Sequence, residues 1–179
     1  MIRAAVLSLM LLSALVLAQS RQGFVAGPVL PDVGPIAPVD SDLPLPKGAK
    51  FKIDFDIAAK ATPGTLSRQI ETAARALNMH VAAGVPQKDV QIVLIFHGPS
   101  AADLLKPEVY AARNDGKANG SMEAIRKLIG AGVEFYLCGQ TAAGQNITKA
   151  DLLPGVKMSL SAITAHAVYQ QRGYTLNPF

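Results

Sequence analysis

The sequence predicts an α/β fold, a three-layer α/β/α sandwich built on a mostly parallel sheet of about five strands. Strand-like and helix-like segments alternate from Lys50 onward, the pattern of βαβ crossovers. Residues 90–96 form a near-continuous apolar run rich in β-branched side chains, which suits a strand covered on both faces. The 130 residues from Lys50 to Phe179 are enough for one domain with a real core.

The elements follow in order. Phe51, Ile53, Phe55 and Ile57 alternate with polar residues, which predicts a half-buried first strand. Thr62-Pro63 is expected to open the first helix, with proline at the tolerated first position. Leu66, Ile70, Ala73, Leu77 and Val81 share one face of that helix, and Gly84 ends it. The second strand is Val90 to Phe96. A long connection from Pro99 to Gly120 is expected to hold a short helix around Ala101 to Leu105. Ser121 is the expected cap of the next helix, whose inner face is Met122, Ile125, Leu128 and Ile129, with Gly130 and Gly132 stopping it. Val133 to Leu137 is the third strand, ending at Cys138. Thr148 and Asp151 have the spacing of a capping box. Val156 to Leu160 is the fourth strand, Ala162 to Arg172 the last helix, and Tyr174 to Leu176 a final edge strand.

Ahead of this domain the chain changes character twice. Arg3 precedes an almost wholly apolar stretch from Ala4 to Leu17, with small residues at Val16 and Ala18, the layout of a secretory signal peptide over residues 1–18. The run is short for a bilayer span, which needs roughly 20 residues. An exported protein, periplasmic or secreted, with no stable membrane insertion after cleavage, is therefore expected. Residues 19–49 carry 6 of the 12 prolines and no helical period. Proline fixes φ and removes backbone donors, so this segment reads as an extended arm or linker, lying across the domain or a neighbouring subunit.

Composition excludes some classes. The formal net charge is +4, or +3 once Arg3 leaves with the signal peptide, and the charges are scattered. With no tryptophan and no basic–aromatic stripe, nucleic-acid binding has no support. No histidine or carboxylate pair has metal-ligand spacing, and neither phosphate-loop nor dinucleotide glycine pattern occurs, so no metal and no cofactor are expected. The sequons at Asn119 and Asn146 read as chance occurrences.

Cys138 is the single cysteine. In an oxidising compartment cysteines usually come in pairs, so an odd one either pairs between chains, stays free and reactive, or is simply packed. Ligands on open parallel sheets bind beyond the carboxyl ends of the strands. Two candidates for catalysis stand there: His97 after the second strand and Cys138 after the third, each followed by glycine. A helix starting at Gly139 would place unpaired N–H groups beside the sulfur and lower its pKa, and a neighbouring imidazole would hold a proton. Gly98, Gly139, Gln140 and Thr141 complete the rim as candidate binding residues. His80 and His166 fall inside helices and read as structural.

A family resemblance adds to this. Val93-Leu94-Ile95-Phe96-His97-Gly98 followed by Ala101-Ala102-Asp103-Leu104-Leu105 resembles the first half of a DsrE/DsrF-like domain. Leu128 through Thr141, containing Gly130-Ala131-Gly132-Val133-Glu134-Phe135-Tyr136-Leu137-Cys138-Gly139, is similar to that family's cysteine segment. Asp151-Leu152-Leu153-Pro154-Gly155-Val156 and Gln171-Arg172-Gly173-Tyr174 fit its C-terminal part. The resemblance spans about residues 50–179. It implies an α/β/α sandwich that assembles as a dimer, trimer or hexamer. It also implies a persulfide on the cysteine at the position of Cys138, and a histidine at the position of His97. Cytoplasmic sulfur relays draw on dedicated donor proteins, which an exported copy would not meet. Three readings follow: a sulfur-handling protein with its own donor or acceptor protein; a non-catalytic module binding a small ligand at the rim; and a structural oligomer of the envelope with a packed cysteine.

Overall fold

The computed structural model describes residues 23–178. The signal peptide expected over residues 1–18 lies outside the described residues.

Five parallel strands form one sheet in the order β4-β3-β2-β1-β5. They are β1 (Phe51–Ile57), β2 (Val90–Phe96), β3 (Glu134–Cys138), β4 (Lys157–Ser159) and β5 (Thr175–Asn177). The helices are α1 (Arg68–Ala82), α2 (Pro107–Ala112), α3 (Met122–Gly130), α4 (Gly139–Gly144) and α5 (Ala162–Gln171). From β1 to β4 the chain moves steadily toward one edge. Right-handed crossovers therefore keep α1, α3 and α4 on one face of the sheet. The β4–β5 connection returns across the whole sheet, which puts α5 on the opposite face.

The two faces differ in composition because side chains alternate along each strand. Toward α1 and α3 lie Phe55, Ile57, Leu94, Phe96, Phe135 and Leu137, all buried in the main core with Ile70, Leu77, Ile125 and Leu128. Toward α5 lie Val93 and Ile95, packed with Ala165 and Tyr169, and also the carboxylates Asp54 and Asp56, which hydrogen-bond the imidazole of His166 on α5. Among the described residues the third layer is thus a single helix over a partly polar face.

Several local expectations are corrected. Helix α1 starts at Arg68, capped by the Ser67 hydroxyl, and not at Thr62-Pro63. Residues 58–66 instead form a loop at the end of β1, pinned where the Ala61 N–H donates to Asp103 Oδ2 at 3.0 Å. Ser121 stands at the start of α3 but does not cap it; its hydroxyl accepts the Ser67 N–H at 2.9 Å, tying the two helix starts together. The short helix after His97 is 3-10 in form and spans Gly98–Leu104. A further helix, α2, opens on Pro107 at its first position.

Part of the proline-rich segment lies against the domain that follows it. Residues 25–36 fold back as a strap over α1, closed by an antiparallel bridge between Val25 and Ile36. Asn78 holds it: its side-chain oxygen accepts the N–H groups of Val29 and Leu30, and its amide donates to the carbonyls of Leu30, Val33 and Gly34. Gly34 has φ +65° and runs against the α1 backbone at Ala74 and Arg75, where a side chain would collide. Leu30, Val33 and Ile36 are buried there.

Candidate functional site

The carboxyl ends of β1, β2, β3 and β4 make one rim. The register pairs Phe96 with Leu137 and Cys138 with Ser159, so His97 and Cys138 follow at adjacent positions on neighbouring strands. By alternation both continue the face that carries Asp54, Asp56, Val93, Ile95 and Tyr136. The thiol also stands at a fork. The connection after β3 turns into α4 on the main-core side, and the connection after β4 turns into α5 on the other. A switch point of this kind opens a crevice between strand ends.

The fork fixes the surroundings of the sulfur. Cys138 is buried and is the residue from which α4 starts. Its side chain makes no capping hydrogen bond of ordinary geometry. Burial pushes the thiol pKa up, but the N–H and hydroxyl of Thr141, the N–H of Ala162 and the N–H of Gln140 together outweigh it, so the thiol lies below its ordinary value. The donors come from the first turns of both α4 and α5. With six residues, α4 contributes these local groups rather than a long helix dipole.

The sequence-predicted rim residues are brought together with distinct roles. Gly98, at φ +56°, donates its N–H to Thr141 Oγ1 at 3.0 Å, which joins the β2 end to α4. The Gly98 carbonyl accepts from the Gln145 side chain at 2.8 Å. Gly139 is pressed against the carbonyls of Ser159 and Leu160, leaving no room for a Cβ, so glycine is required for close approach of the two connections. Gln140 donates to the Leu160 carbonyl at 3.3 Å. His97 is held through Nε2, 2.8 Å from Asp56 Oδ1.

Sequence reasoning missed three members of the site. His166 on α5 places Nδ1 2.8 Å from Asp54 Oδ2 and Nε2 3.2 Å from Asp56 Oδ1. Asp54, Asp56, His97 and His166 therefore form one connected group running from the interior to the rim. Side-chain exposure is 0% for Asp54, 14% for His166, 31% for Asp56 and 34% for His97. Burial lowers the His166 pKa, but hydrogen bonds and charge from Asp54 and Asp56 overcome it and raise it overall. The available signal was the pair of acids at alternate positions of β1. They read as the solvent face of a half-buried strand, and only the strand order, with β1 between β2 and β5, covers that face with α5. His80, in contrast, bonds the Ala76 carbonyl and packs on Phe51, away from the rim.

Among the described residues no group of three or more His, Cys, Asp and Glu side chains is placed to hold a metal ion. No helix among them is long and apolar enough to cross a membrane. A groove of about 630 Å³ opens beside α1 and the β1/β5 edge, lined by Phe51, Ile53, Met79 and Thr175, with neither His97 nor Cys138 in its lining.

The fold and this rim define a parallel α/β protein with a single thiol at a strand-end fork. The chain belongs to the DsrE/DsrF-like family, whose model matches residues 53–178. Among solved structures, it is similar to a protein of unknown function, MTH1491, from Methanobacterium thermoautotrophicum, at 18% identity and a TM-score of 0.55, covering 73% of this chain and 100% of that one. It also matches the ychN protein of E. coli at 16% identity and a TM-score of 0.49, covering 72% of this chain and 99% of the other. No curated protein matches the sequence.

Proposed function

We propose that this protein carries sulfur as a persulfide on Cys138, in an exported setting and in exchange with a sulfur donor or acceptor protein. The observation that carries the reading is the placement of the single thiol at the β3–β4 fork, with donors from two helix starts that favour its thiolate. Membership of a family linked to sulfur relay points the same way.

The chemistry needs no outside oxidant. The Cys138 thiolate attacks the outer sulfur of a donor persulfide R–S–SH. A Cys138 Sγ–S bond forms as the donor S–S bond breaks, and the electron pair leaves on R–S⁻. That thiolate takes up the proton the Cys138 thiol gave away. Transfer to an acceptor thiolate is the same step reversed. Gly98, Gly139, Gln140 and Thr141 shape the rim around the incoming sulfur.

Self-association belongs to the same reading. Among the described residues α5 is the one helix on the second face of the sheet, and Leu160 before it and Ile163 in its first turn are 72% and 83% exposed. Apolar exposure of this kind suits a second copy packing over α5.

The test is sulfur loading. Full-length protein is incubated with a low-molecular-weight persulfide, and its intact mass is read before and after reduction. One reducible extra sulfur on the wild type, absent from Cys138→Ser, is the expected result. A native thiol that takes up no sulfur and reacts only after unfolding overturns the reading.

A further inference from the structure

A lone thiol does not call for two imidazoles and two carboxylates linked on the same face of the sheet. The sequence has three histidines, and two of them meet here. We propose that Asp54, His166, Asp56 and His97 form one hydrogen-bonded acid–base array that fixes His97 in its Nε2–H form, leaving Nδ1 as the proton acceptor for Cys138. The reaction it serves rests on the sulfur-carriage reading above; its geometry does not.

The tautomer follows from what each atom is able to do. A carboxylate oxygen only accepts, so the 2.8 Å contact to Asp56 Oδ1 requires His97 to donate through Nε2. Nδ1 is then the basic nitrogen, and no hydrogen bond occupies it among the described residues. His166 faces carboxylate oxygens on both sides, which requires both of its nitrogens to donate. It is an imidazolium lodged between two acids, consistent with its raised pKa. Asp56 Oδ1 thus accepts from both imidazoles, and the orientation of His97 is coupled through it to His166 and Asp54.

The same arrangement explains how Asp54 is tolerated with no exposure. A buried carboxylate without compensation costs several kcal/mol. Asp54 Oδ1 has no hydrogen-bond partner, so His166 alone compensates it. The other charges on this face are engaged elsewhere. Glu134 pairs with Lys157 at 2.8 Å and accepts from Tyr136. Lys52 donates to the Arg172 carbonyl and lies over Tyr174, and Arg172 lies over Tyr169. None of these partners belongs to the array.

In the transfer step the Cys138 S–H proton passes to His97 Nδ1 and the thiolate attacks the donor persulfide. The proton then moves from Nδ1 to the departing R–S⁻, which leaves as R–SH. His97 is the catalytic residue of this sequence; Asp56, His166 and Asp54 are positioning residues that hold its ring and tautomer.

The experiment is nitrogen-15 NMR of the histidine side chains in full-length protein between pH 5 and 9, which needs no variant. Neutral His97 is expected to carry its proton on Nε2, with His166 staying protonated on both nitrogens to a higher pH than an ordinary imidazole. Wild-type His97 in the Nδ1–H form overturns the proposal. A second measurement compares sulfur loading. His97→Gln, Asp56→Asn and His166→Gln are expected to load at least about tenfold more slowly at neutral pH, with partial recovery in Asp56→Glu. Wild-type loading rates in folded Asp56→Asn and His166→Gln also overturn it. If the wild type takes up no sulfur, the sulfur reading falls, and the array is judged by the tautomer and by whether Asp56→Asn changes the pH profile of Cys138 alkylation.

Discussion

The hydroxyl of Thr141 accepts the Gly98 N–H at 3.0 Å and is one of the groups that lower the Cys138 thiol pKa. Thr141→Val removes that donor and leaves the Gly98 N–H unpaired, while Thr141→Ser keeps both. The thiol pKa is expected to rise in the valine variant, and alkylation near pH 7 to slow severalfold, with the serine variant close to wild type; stopped-flow alkylation reads both. At this scale the sequence was informative only where a residue closes an apolar run. Cys138 and His97 each follow a buried strand, so their position at the rim was readable from hydropathy. Asp54 and His166 were not, because their partnership spans 112 positions of sequence and depends on the strand order.

Elements gain their positions from loops that sequence patterns describe poorly. The strap over α1 hangs on Asn78, whose five hydrogen bonds are all to backbone groups of residues 29–34. Asn78→Ala leaves buried N–H and carbonyl groups unpaired and is expected to cost about 2–3 kcal/mol in urea unfolding, with faster proteolysis within residues 25–36. Nothing in the proline spacing identifies α1 as the seat of that segment, because the contact is made by a side chain 48 residues away. The start of α1 was misplaced for a related reason. Thr62-Pro63 has a good opening signal, but the Ala61 N–H is taken by Asp103 and the chain remains a loop until Ser67. Asp103 is itself a pH reporter. Burial raises its pKa from 3.8 to about 6, against opposing effects of the Ala61 N–H and Lys60. The folded state therefore holds that proton more tightly than the unfolded chain. Its contribution is full below about 3.8 and is lost as pH rises through 6. Asp103→Asn is expected to flatten the fall in thermal stability between those limits, which melting curves across pH measure directly.

For the whole molecule, the alternation of strands and helices made the parallel three-layer architecture legible, and the long apolar β2 run marked a strand buried on both faces. The return of the chain across the sheet was not legible, and that crossover decides everything about the site. It isolates α5 on the polar face, brings its first N–H groups to Cys138, and sets His166 against β1. It also leaves the α5 side thinly covered. If copies associate over α5 as proposed, Leu160→Asp with Ile163→Asp lowers the mass seen by light scattering without unfolding the protein; an unchanged mass contradicts association through this surface. The most direct test of the account is the alkylation rate of Cys138 against pH on native protein. The account predicts an apparent pKa clearly below the ordinary thiol value of about 8.5, rising toward it when the protein is unfolded. An apparent pKa at or above that value in the native state, or a thiol that reacts only after unfolding, would contradict it.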